Sequence, residues 1–344
     1  MPAKPVTIIG GGLAGLTLGI GLRQREIPVV IFEAGHYPRH RVCGEFISGR
    51  GQEILIRLGL HKLLADAGAV TANSAAFFSE TKSTPARPLP ENAICLSRFE
   101  LDHALAKEFR RLGGDLQENR RWQENFGEGI VRATGRRLQA NENGSHWFGL
   151  KIHARNVSLT ADLEMHVSAR GYVGLCRING GEVNVCGLFR RRAGDEVGKN
   201  SRELLHGKSG SPLNQRLAAA EFVENSFSAV AGLSLRPQEA VAHDECSLGD
   251  AITMIPPVTG NGMSMAFESA QLAIDPLAAW SRGELIWTLA QRQIARRCDA
   301  AFAGRLKWAT CLQRAMLAPA LQNPLIALAS RSDWFWRTVF EQTR

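Results

Sequence analysis

Three glycines stand in the spacing Gly10-x-Gly12-x-x-Gly15 directly after apolar residues 6–9, and Glu33 follows 23 residues past the first of them. Gly10 lets the chain turn sharply, Gly12 lets the backbone come close to a pyrophosphate, and Gly15 lets the next helix pack tightly on a sheet. That helix presents its positive end to phosphates, and an acid at the spacing of Glu33 accepts hydrogen bonds from a ribose. The chemistry offered is the binding of an adenine dinucleotide, with Leu13, Ala14 and Ala34 beside the motif joining the expected cofactor-binding set. A fold that kept the turn and lost its ligand would carry the same glycines.

A second constellation lies far away, in LGDAITMIPPVTGNGMSMAFESAQ at residues 248–271. Gly249-Asp250 follows a short strand end, Pro256 and Pro257 stiffen a loop, and Gly260, Asn261 and Gly262 bring backbone amides forward before a helix beginning at Met263. An aspartate there can bond a ribityl hydroxyl. Amides at the helix start can face a flavin ring and stabilise negative charge on its reduced form. The site residues expected here are Gly249, Asp250, Pro257, Gly260, Gly262 and Met263. The same stretch also describes a plain helix N-terminus approached through prolines.

Candidate acid/base groups are Tyr172, His153, His166, Glu45 and Cys43. Reduction of a carbon–carbon double bond needs a proton donor beside the hydride source, whereas hydroxylation needs a dry pocket and sometimes a base. His153 and His166 fall in strand-like segments and read as structural histidines. Tyr172, one of two tyrosines, reads as a phenol packed at a sheet edge, with catalysis as the alternative.

Several elements must position these groups. Helical periodicity covers 50–67, and 97–113 reads as an amphipathic helix capped by Ser97 with Glu100 three residues on. Residues 80–93, rich in Pro, Ser and Thr, read as a loop. Residues 147–190 alternate in strand fashion around an Asn179-Gly180 turn. Residues 191–210 read as a polar, mobile connection, and helical patterning returns over 212–228 and from 262 to the end. No internal repeat is visible.

Composition narrows the class. A chain of 344 residues can hold two domains, and 44% hydrophobic with 22% charged residues is ordinary for a globular protein. No run of 18 apolar residues occurs, and a strand begins almost at once, so neither a membrane span nor a signal peptide is expected. Seven cysteines, scattered and without CxxC spacing, argue for reduced thiols in a cytoplasm and against a zinc site. The net charge of +8 is uneven: residues 280–344 hold ten Lys/Arg against four Asp/Glu, with five tryptophans. A helical cap with a solvated basic face is expected, with contact to an anionic membrane or a carrier protein as the alternative. No nucleic-acid motif accompanies the charge.

The first motif, Gly249-Asp250 and the Gly-x-Gly before the last helices together resemble the FAD-dependent oxidoreductases built like p-hydroxybenzoate hydroxylase. The stretch PRHRVCGEFIS at 38–48 resembles the geranylgeranyl reductase and flavin-dependent halogenase branch. The resemblance is clearest over 4–50, 94–137 and 245–275. It implies a Rossmann-type α/β FAD-binding domain interleaved with a β-sheet substrate domain, plus C-terminal helices. Residues 1–75, 94–140 and 237–285 would form the first, 76–93 and 141–236 the second, and 286–344 the helical segment. It further implies that Gly10, Gly12 and Gly15 hold the pyrophosphate and Glu33 the ribose. Arg41 would lie near the pyrophosphate or ribityl chain, Arg98 would touch FAD, and Asp250 would bind the ribityl or pyrophosphate part. Gly260–Met263 would sit beside the isoalloxazine, with Cys43 and Gly44 close to it.

Two departures accompany the resemblance. Hydroxylases of this fold carry an Asp-Gly pair that touches both FAD and the arriving nicotinamide, and here Ala133-Thr134-Gly135 stands in its place. Only sixteen residues separate Gly114 from Val131, where relatives fit a longer β-meander; this leaves the domain minimal or exposes a surface for a partner. Halogenases of the fold keep Trp-x-Trp-x-Ile-Pro, whereas here Trp334-Phe335-Trp336 lies at the far C-terminus with no Ile-Pro after it. The expectation is therefore an FAD-dependent oxidoreductase of monooxygenase or related tailoring type. Its substrate would be a hydrophobic or aromatic small molecule, with NADPH or NADH as electron donor and Cys43 and Tyr172 as catalytic candidates. A geranylgeranyl reductase-like ene reductase or dehydrogenase is the alternative, and a non-catalytic escort-type binding protein is the rival from another class.

Overall fold

The computed structural model describes residues 2–137, 145–192 and 201–342. In chain order the strands are β1 (Val6–Ile9), β2 (Val29–Phe32), β3 (Phe46–Ile47), β4 (Val70–Phe78), β5 (Arg87–Cys95), β6 (Asp115–Gln117), β7 (Ile130–Arg132), β8 (Ser145–Arg155), β9 (Leu163–Ser168), β10 (Gly171–Arg177), β11 (Val183–Arg192), β12 (Glu221–Leu233) and β13 (Cys246–Ser247). The helices are α1 (Leu13–Arg23), α2 (Arg50–Arg57), α3 (His61–Asp66), α4 (Arg98–Arg111), α5 (Pro212–Arg216), α6 (Gly262–Ser281), α7 (Trp287–Met316), α8 (Pro319–Arg331) and α9 (Asp333–Glu341).

Short apolar strands make the first sheet. Its order is β13-β7-β1-β2-β6, every pair parallel, and central strands of such a sheet must be covered on both faces. Helix α1 supplies part of that cover and is buried from Leu13 through Leu22. Its small residues permit this: a side chain at Gly19 would strike Ile31 and Phe109, and one at Gly21 would strike Ile274 of α6.

The second sheet has eight strands in the order β12-β8-β11-β10-β9-β4-β5-β3, antiparallel except where β4 runs parallel to β9. One face of β8 packs Leu150 and Ile152 into an apolar cluster with Val173, Leu175, Val185 and Leu205. Helix α7, about 45 Å long at 1.5 Å per residue, packs on α6 and leads to α8 and α9. Trp336 of α9 meets Phe77 edge-on at 5.6 Å and donates to the Pro88 carbonyl at 2.8 Å, which closes the helical cap onto β4 and β5. Among the described residues no helix is long and apolar enough to cross a membrane.

The structure corrects three local expectations. Residues 80–93 are not all loop, because β5 begins at Arg87 and pairs with β4. Its prolines, Pro88 and Pro90, fall beyond the short strand β3, where one side of β5 needs no ladder donors. Residues 212–228 are not one helix: α5 ends at Arg216, and Glu221–Leu233 form an edge strand paired with β8 through two register shifts. That pairing overrides the helical preference of the alanines. The segment 50–67 is two helices broken at Gly59, whose φ of 70° ends the first. The Ser97 cap is present, accepting from the Glu100 amide, and Asn179–Gly181 turn β10 into β11. Within the connection at 191–210, residues 193–200 lie outside the described residues.

Glu164 of β9 shows how this sheet tolerates charge. It is 2% exposed and accepts from the Thr160 amide at 2.6 Å, Thr160 Oγ1 at 2.8 Å, His166 Nε2 at 3.0 Å and Arg216 Nε at 3.1 Å. Burial alone would raise its pKa; His166 and Thr160 outweigh this and hold it at about 2. A carboxyl depressed in the fold contributes stability that is complete above its unfolded value and lost as pH falls toward the folded one. His166, pushed down by burial against the pull of Glu164, acts in the same direction. We expect Glu164→Gln to cost about 2 kcal/mol at neutral pH. Acid unfolding followed by circular dichroism should lose part of its pH dependence between the ordinary carboxylate value of 4.5 and about 2 in this variant.

Candidate cofactor and substrate site

A cavity of about 1160 Å³ opens between the two sheets. It exceeds the about 300–1,000 Å³ of a site for one drug-sized ligand. Its walls include Gly10, Gly12, Leu13 and Ala14 as well as Gly249, Asp250, Pro257, Gly260, Gly262 and Met263. The two motifs read separately in the sequence thus face one space.

The glycines of the first turn divide by role. A Cβ at Gly10 would lie 2.3 Å from the Ala133 carbonyl oxygen, and one at Gly15 would lie 2.0 Å from the Gly10 carbonyl oxygen, so both are required by the protein itself. A Cβ at Gly12 would meet nothing within 4 Å. Gly12 caps α1 without a side-chain hydrogen bond, and the first amides of a helix have no partner within it. This is an open cradle of donors at a helix positive end, the shape and charge that a pyrophosphate fits.

Glu33 is held as well as holding. Its carboxylate accepts from the Gly11 and Gly35 amides, each at 2.8 Å, and from Arg39 at 2.5 Å, with Arg41 at 3.7 Å. Burial would raise its pKa; the Gly35 amide and the two arginines outweigh it and keep the group ionised. Arg39 belongs to the PRHRVCGEFIS stretch at 38–48, whose resemblance assigns it no role. Arg41 and Arg98 share one buried carboxylate: Arg98 forks onto Asp102 at 2.7 and 2.8 Å, and Arg41 Nε lies 3.3 Å from it. The signal for Asp102 was its place four residues after Arg98 on the apolar face of α4, beside Leu101 and Leu105.

Close to the start of α1, where a Cβ at Gly249 would lie 3.2 Å from Ala14 Cβ, Asp250 opens onto the cavity while sitting deep among protein atoms. That burial pushes its carboxyl up to about 6, against the pull of Arg98 and Arg136. Asn261, next to Gly260 and Gly262, is 0% exposed, and neither atom of its side-chain amide has a partner among the described residues. Its neighbours Gly260 and Gly262 line the cavity and Asn261 does not, so this orphaned amide lies behind the wall. Thr134, Gly135 and Arg136 line the same space. The shortened segment after Gly114 is also turned inward: Arg120 to Glu124 and Phe126 line the cavity, and Trp122 packs on Phe32 at 5.0 Å.

The second sheet forms the other wall, with Phe77, Met165, Tyr172, Leu188 and Val230 among its apolar lining, and Met254 adds to it from the loop before α6. Tyr172 is 5% exposed and its hydroxyl has no partner among the described residues. It lies on β10, inside the sheet rather than at its edge. Burial pushes its pKa well above that of an ordinary phenol, with Cys186 adding to the shift. Cys43 and Gly44 line the cavity, and burial pushes the Cys43 thiol up despite the opposing charge of Arg98. Cys43 is therefore a neutral thiol. His166 is tied to Glu164 and stacks on Phe78 at 4.5 Å, a structural arrangement. Glu45 and His153, singled out separately in the sequence, meet at 2.8 Å. Lys151 and His40, which complete their cluster, were missed. Trp334-Phe335-Trp336 belongs to α9, where Trp336 packs beneath the cap and Trp334 is 75% exposed.

Residues 3–154 match the family described as FAD binding domain. Conditioned medium factor receptor 1 of Dictyostelium discoideum is 31% identical over 126 residues, a match covering 33% of this chain and 25% of that protein. The match thus spans about a quarter of the relative's length. The structure of flavin-dependent brominase Bmp2 superposes with a TM-score of 0.76 at 16% identity, over 100% of this chain and 94% of that one. A flavoprotein/dehydrogenase from Cytophaga hutchinsonii gives 0.76 at 15% identity, covering 98% and 92%. A halogenase PltM mutant in complex with FAD gives 0.71 at 15% identity, covering 99% and 83%. The fold is the one shared with these flavoproteins, and the match to the FAD binding domain takes in the first motif, with FAD as its cofactor.

Two substitutions separate cofactor binding from folding. Gly12→Ala should leave the melting temperature of the FAD-free protein unchanged and weaken FAD binding at least tenfold, read by quenching of flavin fluorescence. Gly15→Ala should instead yield destabilised or insoluble protein, because its Cβ meets backbone.

Proposed function

We propose that this protein is an FAD-dependent oxidoreductase that acts on a hydrophobic or aromatic small molecule, in the manner of a monooxygenase or related tailoring enzyme. The observation that carries the proposal is the single cavity joining the Gly12 cradle, Asp250 and the start of α6 to an apolar wall on the second sheet. In this reading residues 1–75, 94–140 and 237–285 hold the cofactor, and 76–93 with 141–236 receive the substrate. The basic C-terminal segment serves as a cap, part of its charge being internal: Arg305 pairs with buried Glu268 at 2.5 Å. The intact cradle speaks against an escort protein without flavin chemistry.

Bound FAD supplies hydride or electron transfer and, once reduced, a reaction with oxygen. The remaining work falls to side chains. The first amides of α1 bind the pyrophosphate, Glu33 and Arg39 order the ribose end, and Asp250 accepts a hydroxyl of the ribityl chain. Amides at the start of α6 would donate to the ring, which favours negative charge there. The phenol of Tyr172, kept protonated, donates a hydrogen bond or a proton to the substrate. The thiol of Cys43 excludes water beside the ring.

The first test is anaerobic addition of NADPH or NADH to the FAD-loaded protein, followed by air. Reduction by either donor with oxygen-dependent reoxidation is the expected result; no FAD uptake would refute the reading. The state of Tyr172 is checked separately. Both tyrosines of the chain, Tyr37 and Tyr172, are pushed up by burial. The folded protein then holds their protons more tightly than the unfolded chain, so stability drains away as pH rises above about 10. Ultraviolet titration should therefore show no tyrosinate until the protein unfolds. Tyr172→Phe should keep FAD affinity and lower substrate turnover by at least about 100-fold.

A further inference from the structure

Beside the cavity lies a chain of ionisable side chains that cofactor binding does not use. His40 lines the cavity wall, and its Nδ1 is 3.2 Å from Lys151 Nζ. Lys151 is 0% exposed and lies 3.2 Å from Glu45 Oε1, itself 0% exposed. Glu45 Oε2 meets His153 Nε2 at 2.8 Å, His153 Nδ1 meets Glu182 at 3.2 Å, and Glu182 reaches the surface paired with Arg155 at 2.8 Å. Glu45 has φ of 58°, a left-handed backbone unusual for a side chain of its size, and its Oε1 also accepts from the Arg98 amide at 2.9 Å. Backbone strain held in place by a surrounding network points to function rather than to packing.

The chemistry of the first link is specific. An ammonium paired with a carboxylate has donors and no lone pair, so Lys151 must donate and His40 Nδ1 must accept. The imidazole proton is then on Nε2, which has no hydrogen-bond partner among the described residues. Phe99 stacks on the ring at 4.6 Å and His153 meets it edge-on at 5.2 Å, which fixes the plane. His153 stands between two carboxylates, which two ring donors satisfy.

We infer that His40 is a permanently neutral N–H donor on the cavity wall, its proton held on Nε2 by Lys151, and that its acceptor is an oxygen of the molecule bound there. This rests on the oxidoreductase reading and narrows its substrate to one bearing a carbonyl, carboxylate or phenolic oxygen, unless the oxygen is the cofactor's own. His40 is then not a general base. Lys151 is a positioning residue that acts through it, with Glu45 keeping the lysine paired. Burial pushes His40 down to about 4, the positive charges of Lys151 and His153 add to this, and Glu45 and Glu182 oppose it. Glu45 itself stays ionised: burial would raise its pKa, and the His153 hydrogen bond with the Lys151 charge outweighs that.

Nitrogen-15 NMR of the histidine rings reads the tautomer directly. In the wild-type protein His40 should show a bare Nδ1 and a protonated Nε2 from about pH 5 to about pH 8, the range in which an ordinary histidine changes charge. Lys151→Met should release it to titrate inside that range. Adding FAD alone, then phenol or toluene to the FAD-loaded protein, identifies the acceptor. A shift of the His40 Nε2 proton with phenol and not toluene assigns a substrate oxygen; a shift with FAD alone assigns the cofactor. A charged or Nδ1-protonated His40 in the wild type overturns the inference, as does a Nε2 signal that neither FAD nor phenol moves. If Lys151→Met does not fold, the wild-type spectrum decides alone. Absorbance in the same samples reports FAD uptake, so failure of the oxidoreductase reading is seen independently of the tautomer.

Discussion

The close approach of α1 to β1 is the constraint on which the remaining structure depends. The Gly10 carbonyl occupies the place a side chain at Gly15 would need, and the Ala133 carbonyl does the same to Gly10. With no side chain between them, the helix start lies directly over the strand ends, where its amides face the cavity rather than protein. The same tight packing carries along the helix through Gly19 and Gly21 to α6. That contact brings the 249–263 segment within reach of the phosphate turn. One steric condition therefore sets the spacing between the two halves of the cofactor site.

Charge inside the molecule follows a consistent logic. Moving a carboxylate out of water costs several kcal/mol, recovered only when its oxygens are fully hydrogen-bonded. Glu33, Glu45, Asp102 and Glu164 each meet this condition, and each does so with at least one cationic partner. Three of them, Glu33, Glu45 and Asp102, gather around the 39–45 segment. A loop that would otherwise be free to move is held on two sides by buried ion pairs. Rigidity there matters because Arg41, Cys43 and Gly44 all border the cavity. Among the buried polar atoms without protein partners, Tyr172 Oη belongs to a residue that lines the cavity and the Asn261 amide lies behind its wall. The site is thus stiff in its charged frame.

Local reading of the chain succeeded where one short-range rule acted alone. The glycine turn, the Ser97 cap and the Asn179-Gly180 turn depend on residues within a few positions of each other, and all three are present. It failed where a distant partner decided. Residues 221–233 become a strand because β8 offers an open edge, and 87–95 because β4 lies alongside. Lys151 escaped notice for the same reason. Period-two alternation places it with His153 on the face opposite Leu150 and Ile152, a hint that this face is polar. Nothing nearby in the chain shows that Glu45 and His40 complete that face.

The amino-acid sequence by itself determined a dinucleotide-binding turn, since a dinucleotide is recognised by backbone geometry that glycine spacing encodes directly; FAD in particular follows from the resemblance of the separate motifs to a family. It determined the sign of the α1 end and set Glu33 at the end of the second strand. Tertiary structure alone decided which charges are neutralised and which groups line the cavity. Ionisation and tautomer depend on Coulomb interactions and burial, which fall off with distance in space and not along the chain. Residues 40 and 45, 151 and 153, and 182 come from three separate stretches of the chain yet touch in succession at 2.8–3.2 Å, and only the folding of the second sheet with the loop before β3 joins them.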